Sequence, residues 1–378
     1  MAIQFNSTIP SMEDFDENFT SLTTGTSSET TEAVGLHPYG VIVTIACLWI
    51  LIAVLGIIGN LLVILSVVLS KSVRTMTNVL VVNLSVADLW TSLSLPWNAV
   101  ALLSDGTWPL PSLIPCQVAA FMWHTGLGAS LYNLALISVN RLVRITRPGL
   151  YSRLFTPFKM AIIVTLSWLL SFFVILFPIA IGIGSLGHDL RDDTCTDQDL
   201  HPKADEYNLI QTIGFFPVPM LTVIISYLII YIHVRRHFKK RVYKKSNSSS
   251  RPFDASQASQ SSVVSMPTSG SDVPAVLEKN KFSRQQLQIT KNLFLTFCAF
   301  SLCISPYFIS LFIPSSKKFA LYGATILLCN SCINPIIYTA NHPQFMKVLR
   351  PMIKCRWSEI PQPSKALQYL KNKLGQDG

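Results

Sequence analysis

Charge is what this chain has least of. Only 13% of its 378 residues are Asp, Glu, Lys or Arg, about half the ~25% usual in a soluble domain. Half of the residues are hydrophobic and the mean hydropathy is +0.42. An ordinary soluble globule and a disordered chain are both excluded. Catalytic signatures are missing as well. There is no Gly-x-Ser-x-Gly turn and no phosphate loop. The 7 histidines are scattered without metal-ligand spacing, and Gly182-Ile183-Gly184 ends an apolar run rather than opening a nucleotide loop. An enzyme is therefore not expected. A secretory signal peptide is not visible either: the first 40 residues are polar and acidic, so the first apolar run is expected to serve as its own insertion signal.

What the chain has instead is long apolar runs. A bilayer core about 30 Å thick needs about 20 apolar residues in a helix. Seven stretches meet that need: 41–69, 79–103, 113–143, 159–184, 208–234, 291–313 and 319–340. Continuous runs of this length do not alternate as barrel strands do, and only helices or closed barrels satisfy every backbone group in hydrocarbon. The fold class expected is an all-α membrane protein, a seven-transmembrane helix bundle. It divides into a tail over 1–40, the bundle over 41–342 with a disordered loop at 245–285, and a cytoplasmic segment over 343–378 that opens with a short interfacial helix.

The charges give the orientation. Segments 1–40, 104–112, 185–207 and 314–318 hold 4 basic and 14 acidic residues, whereas the other side holds 26 basic and 5 acidic. Lys and Arg collect on the cytoplasmic side, which puts the amino terminus outside and predicts a multi-pass protein of the plasma membrane. The net charge of +10 thus reports topology and carries no nucleic-acid signal. On the outer tail, Asn6-Ser7-Thr8 and Asn18-Phe19-Thr20 are glycosylation sequons in an accessible place. Cys116 and Cys195 both lie on the oxidising side and are expected to form a disulfide. Cys355, in a basic amphipathic stretch starting at Phe345, is a palmitoylation candidate, with a free thiol as the alternative.

A polar residue inside the membrane is costly and points to function by default. Asp88 is the one acid in the seven spans, and Asn60, Ser130, Asn330, Ser331 and Asn334 lie near the middles of theirs. Such oxygens suit a small hard cation or a water cluster beside a buried carboxylate. A network that only glues helices together fits them equally well.

Read in order, these residues resemble the rhodopsin-like (class A) G-protein-coupled receptors from about residue 45 to 355. Each span carries a piece: Gly59-Asn60; Leu84-Ser85-Val86-Ala87-Asp88; Cys116 followed by Asn140-Arg141-Leu142; Trp168 and Pro178; Phe216-x-x-Pro219 and Tyr227; Phe300 and Pro306; and Asn334-Pro335-Ile336-Ile337-Tyr338. The resemblance implies a receptor that senses an extracellular ligand and activates heterotrimeric G proteins by outward movement of span 6, with arrestin and receptor kinases as further partners. It implies that Arg141 locks span 3 to span 6 at rest and turns to Tyr227 and Tyr338 on activation. Phe300, Pro306, Asn334 and Pro335 complete the implied switch. Pro219, Pro306 and Pro335 are expected to break intrahelical hydrogen bonds and give each helix a kink at which it can pivot. The resemblance also favours the cation reading, with sodium at Asp88 and no other cofactor.

Three departures matter. Asn140 stands where most members have an acid, as in melatonin receptors; Ile304 replaces a tryptophan; and Gln286 stands near where an acid often pairs with the arginine. Together they predict raised basal activity. Trp123 replaces the aspartate of amine receptors, and Leu328 replaces the lysine of opsins. The expected pocket lining is Trp97, Asn98, Trp123, His124, Leu127, Tyr307 and Phe308. Its apolar, aromatic character suits a small, neutral or lipid-like ligand; plain bundle packing accounts for it equally, and for His124 a hydrogen-bonded core place is the commoner role. Asp189, Asp192 and Asp193 are the nearest partners for Arg191. The alternative function is a transporter or channel, which the absence of an internal repeat disfavours.

Overall fold

A computed structural model describes residues 37–249, 272–312, 319–341 and 343–373, with the backbone alone given over 237–249 and 272–287 and at 308, 311, 312, 340, 341, 343 and 370. The sequons at Asn6 and Asn18 lie outside the described residues.

The apolar runs form long helices whose ends obey local chemistry. α1 spans Tyr39–Leu69 and α2 spans Met76–Leu102. The Thr75 hydroxyl accepts the Asn78 backbone N–H (3.2 Å), supplying the N-cap of α2. α3 runs over Ile114–Thr146 and the short α4 over Pro148–Leu154. α5, Pro157–Ala180, starts with Thr156 as N-cap and Pro157 in the first turn. Then come strands β1 (Leu186–Asp189) and β2 (Thr194–Asp197), followed by α6 (Ala204–Phe215), α7 (Pro217–Ser249) and α8 (Asp272–Phe312). α9 (Ala320–Leu328), α10 (Asn330–Asn341), α11 (Pro343–Ile353) and α12 (Lys365–Lys373) complete the chain.

Six helical segments among the described residues are long and apolar enough to cross a membrane, with α6 and α7 counted as one, Ala204–Arg236. The seventh crossing is α3. Its composition falls short because it is the central helix: it packs against α2, α5, α7, α8 and both strands, and it buries Asn133, Ser138, Asn140 and Arg141 rather than facing lipid. The outer faces of α1, α5 and α7 are studded with exposed Leu, Ile, Val and Phe, the pattern of a helix bundle solvated by hydrocarbon. The bundle is thus the expected seven-helix one.

β1 and β2 pair antiparallel, Leu186 opposite Asp197 and Asp189 opposite Thr194. The Cys116–Cys195 disulfide fastens this hairpin to the start of α3, as expected. The Cys195 backbone N–H also donates to the Asn98 side chain of α2 (3.0 Å).

Four features differ from the expectations. Span 5 is interrupted at Phe216, between α6 and α7, rather than at Pro219; Pro217 has no N–H for the preceding turn, and Pro219 sits harmlessly in the first turn of α7. Span 7 is interrupted at Cys329, where the Cys332 N–H bonds the Cys329 carbonyl three residues back (3.1 Å). Helix covers 245–249 and 272–285, where disorder was expected; Glu278, Lys279, Lys281, Arg284 and the glutamines that follow are straight-chain helix formers. Finally, the tail folds back. Ser70 bridges Pro363, the Lys71 N–H donates to the Gln362 carbonyl (2.9 Å), and the Ser364 N–H donates to the Leu69 carbonyl (2.8 Å).

Candidate functional site

Three polar assemblies lie along the bundle, at the hairpin end, the middle and the opposite end.

At the hairpin end is a cavity of about 440 Å³, within the range of small-ligand sites. Asn98, Trp123, His124, Leu127 and Tyr307 line it as expected. Trp97 does not. It is 41% exposed on the outside of α2, because successive helical residues point about 100° apart and Asn98 takes the inward place. The Phe308 side chain lies outside the described residues. Phe215, Phe216, Leu321 and Ala324 extend the apolar wall.

The upper wall is not apolar. Asp189, Asp192, Asp197, Asp199 and Asp205 all line the cavity, against Arg191 and His124. Arg191 pairs with Asp199 rather than with the three nearer acids, since the Asp189 carboxylate is occupied by the backbone N–H groups of Arg191, Asp192 and Asp199 (3.2, 3.2 and 3.1 Å). His124 Nδ1 faces the Ala120 carbonyl (2.9 Å) and its Nε2 faces Asp197 (3.2 Å). Burial pushes the Asp197 carboxyl up, but hydrogen bonds from His124 and Thr196 outweigh it and hold the group below the usual carboxylate range. Burial also raises Asp192, to about 6, with Arg191 opposing and Asp189, Asp199 and Asp193 reinforcing the rise.

In the middle, Asp88 is buried and takes hydrogen bonds from Ser130 (3.2 Å) and the Asn334 amide (2.7 Å), tying spans 2, 3 and 7. Asn60 donates to the Gly56 and Ser331 carbonyls (2.9 and 2.8 Å). A cavity of about 20 Å³ opens beside Asp88, lined also by Ser130, Asn330 and Ser331, which is room for one water molecule or ion. The side-chain oxygens of Asn60, Asn330 and Asn334 are buried and have no protein partner. An all-oxygen set around one carboxylate, with acceptors to spare, fits a hard monovalent cation. The expected six residues are thus brought together. The break at Cys329, which presents Asn330 and Ser331 to this cavity, was not legible in the apolar pattern.

At the far end, Arg141 is 2% exposed and has the Tyr227 and Tyr151 hydroxyls as electrostatic neighbours. The Asn140 side chain bonds Thr77 and Tyr151. Its oxygen accepts from Thr77 (2.9 Å) and its amide donates to the Tyr151 hydroxyl (3.3 Å), while Arg144 stacks on the Tyr151 ring (4.4 Å). Tyr227 packs on Phe294 and Phe297 of α8. Tyr338 has Thr296 of α8 beside it and stacks on Phe345 of α11. Phe300 is fully buried between these levels, and Pro306 and Pro335 lie inside α8 and α10. Thr77 and Tyr151 were missed in the sequence, since a single Thr or Tyr near a helix end carries no signal. Cys355 is exposed and free; the Gln286 side chain is outside the described residues.

Comparison with known proteins agrees with this arrangement. A family model described as 7 transmembrane receptor (rhodopsin family) matches residues 59–338. The G-protein coupled receptor moody of Drosophila melanogaster is 27% identical over 353 residues, 84% of this chain and 52% of that protein. The alpha-1A adrenergic receptor of Mus musculus is 27% identical over 335 residues, 84% of this chain and 69% of that protein. The chain spans about half the length of the two moody relatives. In shape it is similar to squid rhodopsin, with a TM-score of 0.68 at 20% identity, covering 88% of this chain and 91% of that one.

Proposed function

The chain belongs to the rhodopsin family of seven-transmembrane receptors, and from that premise we propose that it sits in the plasma membrane, binds a small extracellular ligand and activates heterotrimeric G proteins. The observation that carries this reading is the separation of parts: a ligand-sized cavity at one end, a buried arginine at the other, and a polar network across spans 2, 3 and 7 between them. The disulfide-tied hairpin marks the outer end, in keeping with an oxidising exterior and with the basic excess of the opposite loops.

Coupling runs through spans 6 and 7. Tyr307 and Ala324 both line the cavity, and between them Gly323 lies so close to Tyr307 that a Cβ there would meet its backbone at 2.8 Å. A ligand that shifts α8 against α9 therefore repacks backbone on backbone. Pro306, one residue below, has no N–H for the preceding turn, and the inner half of α8 pivots there. Outward movement of that half carries Phe294 and Phe297 away from Tyr227 and opens a cleft at Arg141 for the G protein. Asp88 and Ser130, with the amide oxygens of Asn60, Asn330 and Asn334 and the neighbouring Ser331, would hold a sodium ion, which when bound neutralises the carboxylate and clamps spans 2, 3 and 7. Any bias of that clamp on ligand affinity is reciprocal. Receptor kinases and arrestin are the further partners of the active state. The family match leaves the transporter or channel reading without support.

A panel of G-protein activation sensors in cells tests this. At least one G-protein class should respond without added ligand, and Arg141→Ala should abolish the response at unchanged surface level. A transport current with no sensor response overturns the reading.

A further inference from the structure

The cavity expected to be neutral carries a strongly negative rim. Five carboxylates line it against one guanidinium and one imidazole among the described residues, and a low-dielectric wall below them focuses their field. The partners are unevenly shared. Asp197 has His124, Asp199 has Arg191, and Asp189 has three backbone N–H groups. Asp192 has one carboxylate oxygen buried without a protein partner. Lower in the same cavity, Gln211 is 8% exposed and its amide nitrogen also lacks a partner. A buried donor or acceptor left unmade costs ~1–3 kcal/mol, and both residues line this cavity, so a small turn of either side chain toward an occupant would satisfy it.

We propose that this cavity takes a small organic cation with an apolar or aromatic body. The Asp192 carboxylate meets the ammonium group, the Gln211 amide donates to an acceptor on the ligand, and Trp123, Leu127 and Tyr307 hold the body. The proposal rests on the receptor reading and names the ligand class of its site. The place of the charge is set by the loop, because span 3 offers Trp123 and no acid to the cavity. An anionic ligand is disfavoured: Arg191 is held by Asp199, and five carboxylates line the cavity. Burial first of all, with Arg191 opposing and Asp189, Asp199 and Asp193 adding to it, raises the proton affinity of Asp192, and an ammonium group beside the carboxylate would offset that cost.

A matched set with one body tests this: 3-phenylpropylamine, 3-phenylpropanol and 3-phenylpropionate, titrated against the purified full chain in nanodiscs with tryptophan fluorescence as the readout. The amine should bind at least tenfold tighter than the carboxylate, with the alcohol between them. Asp192→Asn should cut the amine preference below threefold and leave the alcohol unchanged. Arg191→Gln, which frees Asp199, should enlarge the preference, so a merely damaged loop is told apart from a lost charge. Amine affinity should fall as the pH drops through about 6, where Asp192 gains its proton beside Arg191, Asp189, Asp193 and Asp199. Equal or tighter binding of the carboxylate, a preference that survives Asp192→Asn, or no binding of any of the three overturns the proposal. Ligand-free G-protein activation by the same preparation reads the receptor function separately.

Discussion

Asn140→Asp restores a carboxylate beside Arg141, and its effect on the resting state can be worked from the geometry. Asn140 is fully buried, with its oxygen taking the Thr77 hydroxyl and its amide giving to Tyr151. In the aspartate, Thr77 keeps its acceptor, and the Tyr151 hydroxyl turns to donate to the new oxygen, so no hydrogen bond need be lost. What changes is the charge. Two unit charges ~4–8 Å apart attract by ~2–4 kcal/mol at an effective dielectric of ~20, and the cost of burying the new carboxylate offsets much of that gain. A net stabilisation of ~1–2 kcal/mol shifts the equilibrium toward rest by roughly 5- to 30-fold. Ligand-free nucleotide exchange on a purified G protein should fall by that factor, at unchanged receptor concentration. Exchange that stays equal or rises shows that Asn140 does not weaken the resting lock.

Three other outcomes follow from named contacts. Cys116→Ser frees a hairpin held across a 79-residue separation and should cost ~2–5 kcal/mol; an unchanged thermal midpoint argues against the tether. Gly323→Ala places a methyl group 2.8 and 2.9 Å from the Tyr307 backbone and should destabilise by ~1–3 kcal/mol, whereas Gly149→Ala, with nothing within 4 Å, should be near neutral in the same melt. Replacing sodium by potassium in the buffer should alter ligand-free exchange, and Asp88→Asn should remove that sensitivity while the chain still folds; a sodium effect that persists in the variant moves the ion elsewhere.

The spans were legible because length and charge asymmetry are coarse signals: 41–69 became Tyr39–Leu69, and 113–143 became Ile114–Thr146. The Asp88 group was legible for a related reason, since polar residues in hydrocarbon are rare enough that each one counts. The breaks at Phe216 and Cys329 were harder to see. Proline marks where a helix can break, but the expected kink at Pro219 lies at Phe216, just before Pro217; Cys329 follows no proline at all. The pocket lining was half legible. A helix face can be counted from its period, and among the described side chains only Trp97 fell on the wrong side. The second loop has no period, so which of its aspartates point into the cavity depends on hairpin register and the disulfide, neither of which composition contains. That is why an apolar pocket was expected where a negatively charged one stands.

The central claim is that Arg141 is the switch through which this bundle acts on a G protein. The direct measurement is guanine-nucleotide exchange on purified G protein, with the full chain in nanodiscs and no ligand added. The wild-type chain should accelerate exchange above the empty-nanodisc rate, and Arg141→Ala should return it to that rate while keeping its thermal midpoint. Exchange by Arg141→Ala equal to wild type would contradict the account.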